Sequence, residues 1–207
     1  MKTVEDFFIF GKIQVMKKIL STLFLFVVFS TFSQSIESLK TSTTKLYKAN
    51  FLMDFETIVF YSYPKIVETI GHDIFLKKIE QQYENEQFRL RLQLENVPFL
   101  FGTIRKIEGK SFCVITFRNP MRYTFESELT AEIAGAKTNM LKEKNKTKEV
   151  TFEPKRNSFN VRKTTTFIAV ADETTSNQWK FFNFDDTTQY ESFQNIFGES
   201  LKKELGL

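Results

Sequence analysis

Residues 88–95 read "FRLRLQLE", and the period of that stretch decides the fold. Phe88, Leu90, Leu92 and Leu94 point one way, and Arg89, Arg91, Gln93 and Glu95 point the other. Alternation at every second residue makes a strand with one wet face. Upstream the period is helical. Phe55, Ile58, Val59, Ser62, Ile66 and Ile70 fall close to one stripe. Pro64 breaks that stripe, because its ring pushes residue 63 out of the α conformation. Gly71 reads as a helix stop, and Asp73 as the cap of a helix over 74–84. The chain therefore passes from helices to sheet near residue 85.

Downstream, "FLFGTIRKIEGKSFCVITFRNP" (99–120) predicts two short strands around a turn at Glu108-Gly109. "MRYTFESELTAEIAG" (121–135) predicts one long strand. Met121, Tyr123, Phe125, Ser127, Leu129, Ala131 and Ile133 would share one face, with Glu126, Glu128 and Glu132 on the solvated side. "KTNMLKEKNKTKE" (137–149) reads as a Lys-rich polar connection at a hairpin tip. "SFNVRKTTTFIAVAD" (158–172) and "QWKFFNFDD" (178–186) are further strands. Residues 187–207 are helical, in two pieces around Gly198. Helices, then mostly antiparallel strands, then a short C-terminal helix give an α+β chain.

The N-terminal region reads differently. In "QVMKKILSTLFLFVVFSTFSQS" (14–35), Lys17 and Lys18 precede an apolar run from Ile19 to Phe32. Thr31 and Ser33 are small residues placed for a cut before Gln34. This is the layout of a secretory signal peptide over residues 16–33. The run falls short of the roughly 20 residues of a membrane span, so no span is expected after its removal. Residues 1–15 carry Glu5 and Asp6 and read as an extension from a misassigned start codon. The expected destination is the periplasm or the exterior, with residues 34–207 as one domain. Removing residues 1–33 lowers the formal charge from +4 to +2, which leaves no nucleic-acid footprint. The single cysteine, Cys113, excludes an internal disulfide. Its apolar setting reads as a buried, inert thiol.

The order of elements resembles the nuclear transport factor 2-like group, the α+β cone shared with ketosteroid isomerase and the SnoaL-like cyclases. "NFLMDFETIVFYSYPKIVETIG" (50–71) looks like that group's opening, where an acidic residue starts a helix and a Tyr/His-x-x-Pro-like step leads to the next. "NQWKFFNFDD" (177–186) is similar to the Trp-containing last strand of exported members from Bacteroidetes-type bacteria, and the leader ending "TFSQS" fits them too. The resemblance implies N-terminal helices packed on a strongly bent, mostly antiparallel sheet, with a pocket and frequent homodimerisation. It implies no particular activity, since one fold hosts many functions.

With the apolar faces turned inward, the pocket is expected to see Phe88, Leu90, Leu92, Leu94, Met121, Tyr123, Phe125, Leu129, Phe167 and Ala169. Ser127, Lys163 and Thr165 are the polar residues in the same register. Leu92, Tyr123, Phe125, Lys163 and Phe167 are the candidate ligand-binding set. Lys163 also reads as a side chain that snorkels at its strand end. Asp54 and the pair Asp185-Asp186 read as helix caps. His72-Asp73 is a structural turn, or else a base oriented by a carboxylate. One histidine without a cysteine cluster makes zinc a poor fit. The expectation is an exported small binding or interaction domain with an apolar, Phe-rich pocket, a small apolar ligand, no cofactor and no metal. The alternative is an isomerase, dehydratase or cyclase-type enzyme using Tyr123, Asp54 or His72.

Overall fold

Four helices open the fold, in a computed structural model that describes residues 36–207. The extension, signal peptide and cut expected at residues 1–34 lie outside the described residues. In helix α1 (Ile36–Leu52), Leu39, Thr43, Leu46, Tyr47 and Ala49 are buried, the spacing of one helical face. Asp54 caps α2 (Phe55–Tyr61) by accepting from the Thr57 amide. Pro64 is the first residue of α3 (Pro64–Ile70), and Tyr63 before it is extended. Gly71, with φ of 90°, both ends α3 and starts α4 (His72–Tyr83). Asp73 does not cap α4: it lies one residue inside the helix, and the backbone of Gly71 holds the cap position.

The sheet is an open, antiparallel assembly of seven strands. Its spine is the pair β4 (Lys110–Phe125) and β6 (Ser158–Ala171), matched without a bulge from Ser111↔Ala171 to Thr124↔Ser158. The free flank of β4 takes β1 (Phe88–Leu92), β2 (Phe99–Phe101) and β3 (Arg105–Ile107) in turn. The free flank of β6 takes β5 (Val150–Glu153) and β7 (Lys180–Asn183). The turn at Glu108-Gly109 is present, with φ of 48° and 79°. Two positive φ values suit a tight hairpin between β3 and β4.

Strand β4 runs straight through Pro120, where the sequence suggested a break. The Pro120 carbonyl accepts from the Gln93 amide, so its imino nitrogen also faces the β1 flank. The missing N–H is therefore not taken from the β4–β6 ladder.

The expected long strand 121–135 ends instead at Phe125, and helix α5 (Ala131–Lys144) follows. Asn157 sets the stop. Its amide donates to the Phe125 and Ser127 carbonyls and its oxygen accepts from the Leu129 amide. Thr130 then caps α5, with Glu132 in the first turn and Lys142 and Lys144 in the last. Most of the "polar connection" is thus helix. Its apolar face is thin, since only Ala134 and Leu141 are buried, so periodicity did not reveal it.

Helix α6 (Thr187–Leu205) closes the chain, capped by Asp186 and kinked at Gly198, whose φ is 79°. It packs on the sheet face that carries Phe112 and Phe182; Phe112, Phe182 and Phe193 are 1% exposed or less.

Candidate functional site

The opposite face of the spine holds a cavity of about 620 Å³, within the usual range of ligand pockets. Alternation places its floor. Phe117, Asn119, Met121 and Tyr123 come from β4, Lys163, Thr165 and Phe167 from β6, and Phe88, Leu90 and Leu92 from β1. Register makes these residues neighbours: Leu90 lies opposite Tyr123, Leu92 opposite Met121, Asn119 opposite Lys163 and Phe117 opposite Thr165. Tyr47 and Asn50 of α1 and Gln82 and Tyr83 of α4 form one wall. The end of α5 supplies Lys144 and Asn145, and the end of β7 with its link to α6 supplies Asn183, Asp185 and Asp186.

Four of the five candidate residues meet here: Leu92, Tyr123, Lys163 and Phe167. Phe125 is not among the lining residues. It is buried against Phe88 and Phe159, with ring centroids 6.1 and 5.6 Å away, and so closes the core beyond the cavity. Leu94 lies past the end of β1 and is 52% exposed. Ala169 is fully buried elsewhere, and Ser127 and Leu129 belong to the loop before α5.

The lining is more polar than its strand pattern suggests. Lys163 does not snorkel to water. Its Nζ lies 2.7 Å from Asp185 Oδ2, and both side chains are largely covered. The same carboxylate oxygen accepts from Thr165 Oγ1 at 2.7 Å, and Asn119 donates to Thr165 at 3.4 Å. Asn119 Oδ1 is buried without a partner. The Tyr123 hydroxyl donates to Asn145 at 3.4 Å, and that of Tyr83 to Asn50 at 2.5 Å. Burial raises the pKa of both phenols, and that of Tyr47 to about 12. All three are therefore neutral donors at neutral pH. The Lys144 ammonium stands 5.3 Å from the centroid of the Phe88 ring. Desolvation first, and then the charge of Lys163, lower its pKa.

Asp54 and His72 lie outside the cavity lining. Asp54 is occupied with Thr57, whose amide and hydroxyl donate to it at 3.1 and 2.7 Å. His72 is half exposed, 3.2 Å from both Glu56 and Asp73. The structure does not bring Tyr123, Asp54 and His72 together. Glu126, expected on a strand face, pairs with Arg89 at 2.7 Å, and Glu132 lies in the first turn of α5. Among the described residues no three metal-ligating side chains cluster, and no helix is long and apolar enough to cross a membrane.

Asn119, Lys144, Asn145 and Asp185 are among the lining residues that sequence reasoning missed, with Tyr47, Asn50 and Tyr83 of the helices. Asn119 was legible in principle, because it shares the parity of Met121 once β4 is carried through Pro120. Lys144 and Asn145 were hidden by the loop reading of 137–149. Asp185 was assigned a capping role that belongs to Asp186.

No protein family, characterised protein or solved structure matches the chain.

Proposed function

We propose that the chain is an exported binding domain, not a catalyst, whose cavity holds a small molecule with an apolar body. One observation carries this: in an open cavity of about 620 Å³, apolar side chains from three strands lie beside polar groups, several of which already pair with one another, as Lys163 and Thr165 do with Asp185 and Tyr83 with Asn50. Ligand pockets generally combine apolar surface with a few placed polar groups that fix orientation. An acid–base enzyme instead needs two tuned groups converging on one point. Asp54 and His72 lie elsewhere, and the Tyr123 hydroxyl is hydrogen-bonded to Asn145. Four N-terminal helices followed by an antiparallel sheet also support membership of the nuclear transport factor 2-like group, which we include in the proposal. Export through the leader at residues 16–33 and homodimerisation are further parts of it. The test is native mass spectrometry of protein secreted by its producing cell, followed by thermal shift across a small-metabolite and lipid panel. A bound small molecule, or a stabilising one, supports the reading. An empty protein with a flat panel overturns it.

A further inference from the structure

We infer that the ligand is a monoanion: an apolar body carrying one carboxylate-type head, with the head held at the Lys144–Lys163 end of the cavity. This rests on the binding reading above.

Charge balance is the first ground. The lining includes Lys78, Lys144 and Lys163 against Asp185 and Asp186, which leaves a net charge of +1. The two acids are committed. Asp185 accepts from Lys163 and Thr165, and Asp186 caps α6 and accepts from Gln82. Lys78 stands exposed at the rim. Lys144 has no carboxylate within ion-pair distance among the described residues. Its ammonium is placed over the Phe88 ring and within the field of a second lysine.

Position is the second ground. Lys144 and Lys163 line one cavity, where like charges repel and a cation without a counterion is costly. One anion removes that cost, by pairing with Lys144 and by screening it from Lys163. Lys163 spends one of its three donors on Asp185 and has two left. A cationic ligand would meet a positive lining. A dianion would overcompensate the single excess charge.

Shape is the third. The apolar side chains Leu90, Leu92, Met121 and Phe167 lie on the strand floor beside these lysines, so a head at the lysines lays the body across that floor. Every 1.4 kcal/mol of preference is tenfold in affinity, so loss of one charge-assisted contact is readily measured.

The experiment is calorimetric titration at pH 7 with two matched probe pairs, octanoate with octanamide and 4-phenylbutyrate with 4-phenylbutanamide. The acid of at least one pair is expected to bind ten times or more tighter than its amide. In Lys144→Gln, an exposed lip position whose folding is checked by circular dichroism, that preference should collapse to about threefold or less. Equal binding of acid and amide overturns the inference and leaves the binding reading standing. An undiminished preference in a folded Lys144→Gln protein overturns the assignment of the head to this lysine. Binding of neither member of either pair counts against the inference and the binding reading alike.

Discussion

The two faces of the β4–β6 spine share one backbone and reach opposite outcomes. On the face of Phe112, Ile168 and Val170, helix α6 closes down with Phe193 and Phe197, and Tyr63 stacks on Phe182 at 5.0 Å. Phe112–Phe197, Phe182–Phe193 and Phe184–Phe193 fill the space edge to face, at 5.1–5.3 Å between centroids. On the other face the strand residues begin equally sealed, at Cys113 and Ile115, and then open into the cavity from Phe117 to Tyr123. Phenylalanine serves both sides, with Phe88, Phe117 and Phe167 on the cavity floor. On the cavity side, however, asparagine, threonine and lysine enter the same alternation and make hydrogen bonds and an ion pair beside the open space. An aromatic-rich composition therefore says little about which side takes a ligand.

That contrast can be broken by truncation. Phe182→Ala should cost about 3–5 kcal/mol by urea unfolding, because it leaves a sealed void among three rings. Met121→Ala, almost as buried but bordering an existing cavity, should cost about 2 kcal/mol, the low end for such truncations. Equal costs would mean that the cavity face is as tightly packed as the α6 face.

Cys113 marks where the cavity face is still closed. Burial pushes its thiol up to about 11, and its Sγ lies 3.3 Å from the Gly102 carbonyl. Native protein should leave a disulfide reagent unreacted at pH 8, and one equivalent should react in urea. Fast native reaction would extend the cavity to the sealed end.

The smallest effect belongs to a residue on neither face. The hydrogen bond to Asp73, and then the charges of Glu56 and Asp73, raise the pKa of His72 above 6.5. A raised folded pKa stabilises below the unfolded value and loses that contribution as pH rises through the folded one. His72→Gln should thus lower the melting temperature slightly at pH 5.5 and match wild type at pH 9. A loss that is the same at both values would show that packing, not charge, is what His72 supplies.

Much of this arrangement was legible. Period 3.6 before residue 85 and period 2 after it located the helices and the strand faces, and four of five candidate residues do share one cavity. The failures have local causes. Residues 121–133 alternate well enough for a strand, yet β4 stops at Phe125, because Asn157 takes the backbone groups that a ladder would use. Helix α5 buries so little that its signals were caps and charges, not a stripe. Asn119 was lost because Pro120 reads as a strand end, and no single-residue rule reveals which flank of a strand a proline nitrogen faces.

Asn157 leaves the chain little freedom of spelling. It sits in the left-handed region, with φ of 47° and ψ of 45°, while one side chain gives two donors and one acceptor to segments 28–32 residues away. Glycine accepts the backbone and offers no bonds. Aspartate tolerates the same conformation but turns its oxygens on two carbonyls. Glutamine carries the right groups one methylene too far out. Position 157 is a word without a synonym, and whether residues 126–130 are loop or strand is written there, not at 126–130.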